Sequence, residues 1–201
     1  MENPILINVP ELIETPRLLI KAMKEGMGEE VYMAAKESWQ DLREWVPWAQ
    51  GELPTKTEYE IFCREGYSNW IKRTNLWVGM WEKSSGIYVG GSGLHRPNWK
   101  VPSFEIGYWC RSSMTGKGYI TETVKALTQM AFEKLNCRRL EIRCDSLNTK
   151  SRAVMQRCGF EHEATLKRDS LNCTGKELRD TLVYARFTLS NLEDLEISYG
   201  A

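Results

Sequence analysis

"SSMTGKGYITETV", residues 112–124, places two glycines around Lys117 and enters a helical pattern at once. Upstream, "SFEIGYWC" (103–110) reads as a strand. Downstream, Ile120, Val124, Leu127, Ala131 and Leu135 step by four, three, four and four, the spacing of an amphipathic helix. A strand–loop–helix unit of this kind leaves unpaired backbone N–H groups at the positive end of a helix dipole. Gly116 and Gly118 let a ligand approach that backbone closely. The mouth of the helix therefore suits an anion, a pyrophosphate above all. The dipole contributes up to ~2 kcal/mol, and each charge-assisted hydrogen bond about 1.5–3 kcal/mol. Two phosphate motifs do not fit: Gly118, with Tyr119 after it, stands where a P-loop needs Ser or Thr after Gly-Lys, and Thr121 replaces the third glycine of the dinucleotide fingerprint. Alone, the stretch reads equally well as a tight turn entering a helix.

Working outward, "LLIKAM" (18–23) reads as a first strand. Val31, Ala34, Ala35, Trp39, Leu42 and Trp45 predict a helix over 28–45. "WVPWAQGELP" (45–54) breaks it. A second helix is expected from Thr57 to Thr74, with Thr57 as N-cap and Glu60 three residues on. "LWVGMWE" (76–82) and "GIYVGGSGL" (86–94) form a hairpin across "KSSG", and "SFEIGYWC" follows. After the helix of the opening stretch come strand "RLEIRC" (139–144), a short helix ending at Gly159 as C′ residue, and strands around 161–168 and 178–187. The polar, acidic tail from Thr188 reads as a frayed helix. The expectation is one domain over 1–187 with a tail over 188–201.

With 201 residues, 42% hydrophobic and 27% charged, the chain has the make-up of one soluble globular domain. Its 27 basic and 27 acidic residues cancel, which gives no general electrostatic reason to bind nucleic acid or an anionic membrane. No apolar run approaches the ~20 residues of a membrane span. "MENPILINVPELIETPR" has neither a basic n-region nor a small-residue cleavage site, so mature sequence is expected. Six cysteines without a C-x-x-C pair read as reduced thiols of a cytoplasmic protein. Two histidines without clustered ligands argue against a metal site.

"EIGYWCRSSMTGKGYITE" (105–122) resembles motif A of the GNAT acyltransferase superfamily, with Gly116 and Gly118 as its glycines and Ser113 where Gln or Arg is usual. "NTKSRAVMQRCGFE" (148–161), "TPRLLIKAM" (15–23), "WVPW" (45–48), Asp180 and Tyr184 resemble the branch of ribosomal-protein N-terminal alanine and serine acetyltransferases. The resemblance covers roughly residues 12–187. It implies an α/β (α+β) fold: a mixed, mostly antiparallel sheet of about seven strands, splayed between strands 4 and 5 and flanked by about four helices.

It also implies acetyl-CoA as co-substrate, no metal, and direct transfer of the acetyl group to a primary amine. The cofactor would lie between "SFEIGYWC" and "RLEIRC". Backbone groups of Tyr108 and Cys110, with Trp109 between them, would meet its pantetheine arm, and Gly116, Lys117, Gly118, Tyr119 and Ile120 would supply amides to its pyrophosphate. A strand bulge is expected at Gly107, with a nearby backbone N–H for the developing oxyanion. Asn148 reads as a pantetheine contact or as a helix N-cap, and the two can coexist. Met155 stands where many members carry a tyrosine, so Ser151 becomes the candidate partner of the departing sulfur. Glu105 and Glu163 are the candidate bases, with Glu105 preferred.

The acceptor side is read from "LREWVPWAQGELP" and "HRPNWKVPS". Trp45, Trp48 and Trp99 would contact the acceptor, or serve as core or homodimer residues. The leading expectation is an N-terminal α-amine of a protein such as a ribosomal protein. The alternatives are a small-molecule amine (polyamine, amino acid, amino sugar or toxin) and a non-catalytic CoA-binding module. Neither nucleic acid nor membrane is an expected partner.

Overall fold

A computed structural model describes residues 3–200. In chain order the elements are β1 (Leu12–Glu14), β2 (Leu18–Ala22), α1 (Gly28–Trp45), α2 (Lys56–Lys72), β3 (Leu76–Glu82), β4 (Tyr88–Asn98) and β5 (Ser103–Cys110). They continue with α3 (Tyr119–Lys134), β6 (Arg139–Asp145), α4 (Thr149–Arg157), β7 (Glu161–Leu171), β8 (Leu178–Arg186) and β9 (Ser198–Gly200). The strands form one sheet in the order β7-β8-β6-β5-β4-β3-β2-β1-β9.

Seven of these nine strands were expected. The additional β1 and β9 are three residues each and pair with one another at one edge of the sheet. The tail, read as a frayed helix, is instead extended at its end.

Alternation along the strands sorts the side chains onto two faces. Leu76, Val78 and Met80 of β3 join the main core, where Val124, Leu127, Met130 and Ala131 of α3 pack. Trp77 and Trp81 point to the other side, where Val31, Ala34 and Ala35 of α1 and Tyr59 and Cys63 of α2 gather. Burial of these helical stripes, not propensity, is what holds helices of this length.

The cap of α2 differs from expectation. Thr55, not Thr57, is the N-cap, and it forms a capping box with Glu58. Glu60 accepts from the backbone N–H groups of Gly26 (2.9 Å) and Gly28 (3.1 Å) instead. A Cβ on Gly28 would lie 2.5 Å from the Glu60 backbone, so α1 begins in direct contact with α2. Gly159 follows α4 with φ +68°, as its C′ role requires.

Every neighbouring pair of strands is antiparallel except β5 and β6. Those two run parallel and pair only through Ser103↔Arg139, Phe104↔Leu140 and Glu105↔Glu141. Beyond that point β5 stays with β4 as far as Cys110 and β6 stays with β8 as far as Asp145. The sheet therefore splits between the fourth and fifth of the expected strands.

The bulge expected at Gly107 is not there. Ile106, Gly107 and Tyr108 face Leu94, Gly93 and Ser92 in unbroken register. The irregularities of β4 with its two neighbours fall between His95 and Asn98, and where Met80 pairs with Gly90 but Trp81 with Tyr88. Gly107 leaves room for a neighbour instead: a Cβ there would meet the His95 ring at 3.1 Å, tighter than an ordinary contact.

Gly90 marks the irregularity opposite β3, where a Cβ would stand 2.2 Å from the Trp109 carbonyl oxygen. Gly90→Ala is expected to cost on the order of 3 kcal/mol in urea unfolding. Gly86→Ala, whose Cβ meets nothing within 4 Å at φ +71°, is expected to cost about 1 kcal/mol. Equal losses would show that close approach is not what demands glycine at 90.

Candidate active site

The loop before α3 is tied down on both flanks. Toward α1, Glu37 accepts from the Ser113 N–H (3.0 Å) and pairs with Arg111 (2.6 Å). The Ser112 N–H donates to Ser38 Oγ (2.9 Å), and the Ser112 hydroxyl donates to Asp41. Toward β2, Arg17 donates to the Lys117 carbonyl (2.9 Å) and pairs with Glu122 (2.6 Å), while Glu122 also accepts from the Thr15 hydroxyl (2.6 Å) and the Arg17 N–H (3.1 Å). Tyr119 lies under the Arg17 guanidinium and donates its phenol to Glu82.

What this leaves open is the backbone. The N–H groups of residues 116 to 121 have no partner among the described residues. Gly116 and Gly118 sit at φ +76° and +83°, and nothing lies within 4 Å of a Cβ built on Gly116. Exposed, unpaired amides at a helix start form an anion site. The sequence places Lys117 here as well, and its ammonium rests on Met114 Sδ at 3.3 Å.

The split between β5 and β6 brings the next group together. Asn148 caps α4, its Oδ1 accepting from the Ser151 N–H at 2.9 Å, while its amide nitrogen has no partner among the described residues. Both roles read for Asn148 thus use different atoms. Met155 is wholly buried and offers no hydroxyl. The phenol of Tyr108 instead crosses the split from β5 and meets Ser151 Oγ at 2.8 Å. Sequence reading assigned only the backbone of Tyr108 a role. The even residues of β5 point to this face, but a partner 43 positions away leaves no local signal. Burial pushes the Tyr108 phenol well above its usual range. Burial likewise pushes the Cys110 and Cys144 thiols up to about 11, so neither is a thiolate at neutral pH.

On the opposite face a chain of charges runs across the paired part of the strands. Arg96 donates to Glu105 (3.0 Å), Arg143 lies 3.9 Å from Glu105 and 2.8 Å from Glu141, and Arg139 binds Glu141 (2.7 Å). Arg139 also grips Glu163 with two bonds of 2.6 and 2.5 Å. Glu105, Glu141 and the three arginines line a cleft of about 110 Å³. The alternation Arg139-Glu141-Arg143 on one strand was the available signal for it.

The two candidate bases differ in this setting. Burial raises the Glu105 carboxyl above its ordinary value, against the pull of Arg96 and Arg143. The hydrogen bonds from Arg139 lower that of the exposed Glu163.

Of the tryptophans expected at the acceptor side, Trp48 is exposed (45%) and leans on Trp39 and Trp109, with ring centroids 6.1 and 5.9 Å away. Trp45 is half-buried at the end of α1. Trp99 packs inward: its indole N–H donates to the Arg73 carbonyl (2.8 Å) and its ring packs on Phe104 (5.2 Å), contacts that fit the core alternative read for it. Among the described residues no helix is long and apolar enough to cross a membrane.

Residues 17–161 match the family model described as the acetyltransferase (GNAT) domain. YdaF of Bacillus subtilis (strain 168), named as a candidate ribosomal N-acetyltransferase, is 31% identical over 145 residues, which cover 72% of this chain and 76% of YdaF. Among solved structures, the ribosomal L7/L12 α-N-protein acetyltransferase RimL in complex with coenzyme A superposes with a TM-score of 0.81 at 20% identity, covering 88% of this chain and 98% of RimL. The microcin C7 self-immunity acetyltransferase MccE, in complex with acetyl-CoA and AMP, gives 0.79 at 19% identity, covering 86% and 93%. At these identities the two structures speak for the fold.

The buried setting of Glu105 has a thermodynamic signature. A carboxyl whose folded-state pKa is raised stabilises the fold below its ordinary value of 4.5, and that contribution is lost as pH rises through the folded value. Glu105→Gln has no such loss. Its stability relative to the parent, measured by urea unfolding, is therefore expected to grow between pH 4 and pH 8. A pH-independent difference would contradict the burial argument.

Proposed function

We propose an acceptor for this chain, which belongs to the acetyltransferase (GNAT) family and takes acetyl-CoA as co-substrate: the α-amine of a protein N-terminus, such as that of a ribosomal protein. The observation that carries the cofactor half is the split of β5 from β6 beside the row of unpaired amides at residues 116–121. The acceptor half draws on the ribosomal assignments carried by the names of YdaF and RimL. Cytoplasmic action fits six cysteines that are all free.

Bound acetyl-CoA supplies an activated acetyl thioester. The amides from Gly116 to Ile120 hold its diphosphate, and the backbone of Tyr108, Trp109 and Cys110, with the free amide nitrogen of Asn148, meets the pantetheine arm. Ser151, oriented by the Tyr108 phenol, faces the departing sulfur. A thiol pKa near 8.5 means that a strong acid is not needed there.

Glu105 is the base, acting through water on the acceptor's ammonium. Its raised affinity for a proton favours it over Glu163, whose carboxylate is spoken for by Arg139. An α-amine with a pKa of ~7.7–8 is about a tenth neutral at pH 7, whereas a lysine amine near 10.4 is neutral to only a few parts in ten thousand. A carboxylate acting through water suffices for the first and falls short for the second. Trp48 and Trp109 form the wall against which the acceptor's first side chain rests.

Acetyl incorporation from labelled acetyl-CoA across N-terminal peptides and small amines tests the acceptor. Turnover confined to polyamines, amino acids, amino sugars or toxins would replace this reading with the small-molecule one, and no turnover with any amine would leave a CoA-binding module. Gly118→Val is expected to raise the dissociation constant of acetyl-CoA at least ~10-fold by calorimetry, since a side chain would enter the diphosphate site. Unchanged affinity would contradict the site. Glu105→Gln is expected to lower kcat/KM at neutral pH and to recover in part at alkaline pH. A uniform loss would mean that Glu105 positions rather than accepts.

A further inference from the structure

His95 is the cross-strand partner of Glu105, on the face of the sheet opposite Tyr108 and Ser151. Its ring lies in a slot made of bare backbone. A Cβ on Gly93 would stand 2.8 Å from its Cε1, and one on Gly107 would stand 3.1 Å from Cδ2 and 3.2 Å from Nε2. Gly93 and Gly107 are themselves a cross-strand pair, so the imidazole bridges two adjacent strands at a point where neither carries a side chain. Trp77 covers the ring at 4.5 Å between centroids. Nδ1 is bonded to Asn75 Oδ1 at 2.7 Å. Nε2 has no partner among the described residues, and it is not among the atoms sealed from solvent without one.

Gly107 follows the last paired residues of the split by two positions, at the level where the thioester of the proposed function would lie. Two glycines, a tryptophan and an asparagine therefore combine to hold one free ring nitrogen at that place. With Oδ1 of Asn75 as acceptor, the proton sits on Nδ1 and Nε2 carries the lone pair.

We propose that His95 Nε2 accepts a hydrogen bond from the acceptor's amine over Gly107 and receives the proton that the nitrogen sheds as the amide forms. This rests on the acetyl-transfer reading above, but not on which amine is the acceptor. The amine's lone pair forms the C–N bond and the C–S pair leaves on sulfur. The nitrogen's proton goes to Nε2 and then to the departing sulfur, which ends as the thiol. Glu105, through water, takes the earlier proton that makes the ammonium a neutral amine. The division of labour is chemically sound, because a nitrogen bonded to the acyl carbon gives up its proton to a weak base. Burial, with Arg96 adding to it, pushes the His95 pKa down to about 4, so the ring is neutral and able to accept at neutral pH. The charged groups that face it are Arg96 from its own strand and Glu105 from β5, with Arg143 behind Glu105; the residue before β3 contributes the uncharged Asn75, and β3 contributes Trp77.

Two measurements test this. The chain has two histidines, so long-range ¹H–¹⁵N spectra of ¹⁵N-histidine-labelled protein contain two ring systems, and His95→Phe assigns them by loss of one. The expected tautomer of His95 is Nδ1–H with Nε2 unprotonated; an Nε2–H tautomer overturns the proposal whatever the acceptor proves to be. For kinetics, His95→Phe keeps a ring in the slot but removes the acceptor atom. Its kcat/KM is expected to fall about 100-fold, with acetyl-CoA affinity unchanged within about twofold. His95→Gln, which retains an acceptor oxygen, is expected to recover part of the loss. It also stands in should the phenylalanine variant fail to fold. Assays use whichever amine the parent acetylates, so a wrong acceptor class and a wrong role for His95 give different results. Unchanged kcat/KM in both variants sinks the proposal.

Discussion

The central constraint is that β5 and β6 share only three residue pairs and then part. Each is kept in the sheet by its outer neighbour, β5 by β4 and β6 by β8. The inner edges beyond Glu105 and Glu141 are left with backbone groups that must find partners elsewhere. A gap of this kind persists only because the ladders on either side are long and because ligand or water satisfies the exposed edges. The rest of the site is arranged around that gap: the amide row of α3 at its mouth, the Tyr108–Ser151 pair on one face, and the Glu105 cleft on the other.

Much of this was legible in the sequence because it rests on local chemistry. The span of α1 followed from its apolar spacing and from the break at Pro47, and α3 from five apolar positions together with the glycines before it. The α2 cap was ambiguous at the level of pattern. "TKTEYE" holds two overlapping capping boxes, Thr55 with Glu58 and Thr57 with Glu60, and only the demand of Gly26 and Gly28 for the Glu60 carboxylate decides between them. β1 and β9 are too short to show a period, and β9 is held by β1 across the length of the chain.

Glycine in a strand was the least informative sign. Gly79, Gly91, Gly93 and Gly107 each leave room for an aromatic ring, those of Trp81, Trp109 and, for the last two, His95. Gly90, unlike these four, sits at a break in register. From sequence a ring seat and a bulge look the same, because what separates them is the direction of a side chain, two residues along the same strand for Gly79 and Gly93 and on the neighbouring strand for Gly91 and Gly107. The Arg–Glu chain was half visible in the alternation of β6, but its links to Arg96 and Glu163 depend on the fold.

The clasp of Arg17 and Glu122 has a consequence for how a nucleotide-bearing ligand arrives. Arg17 braces the Lys117 carbonyl, and the carboxylate that holds Arg17 is nearly buried within the first turn of α3. The receiving backbone is thus braced by the protein's own side chains, which lowers the ordering entropy to be lost on association. In the acetyl-transfer reading proposed above, discrimination between one thioester and another would then fall to the acyl end of the ligand.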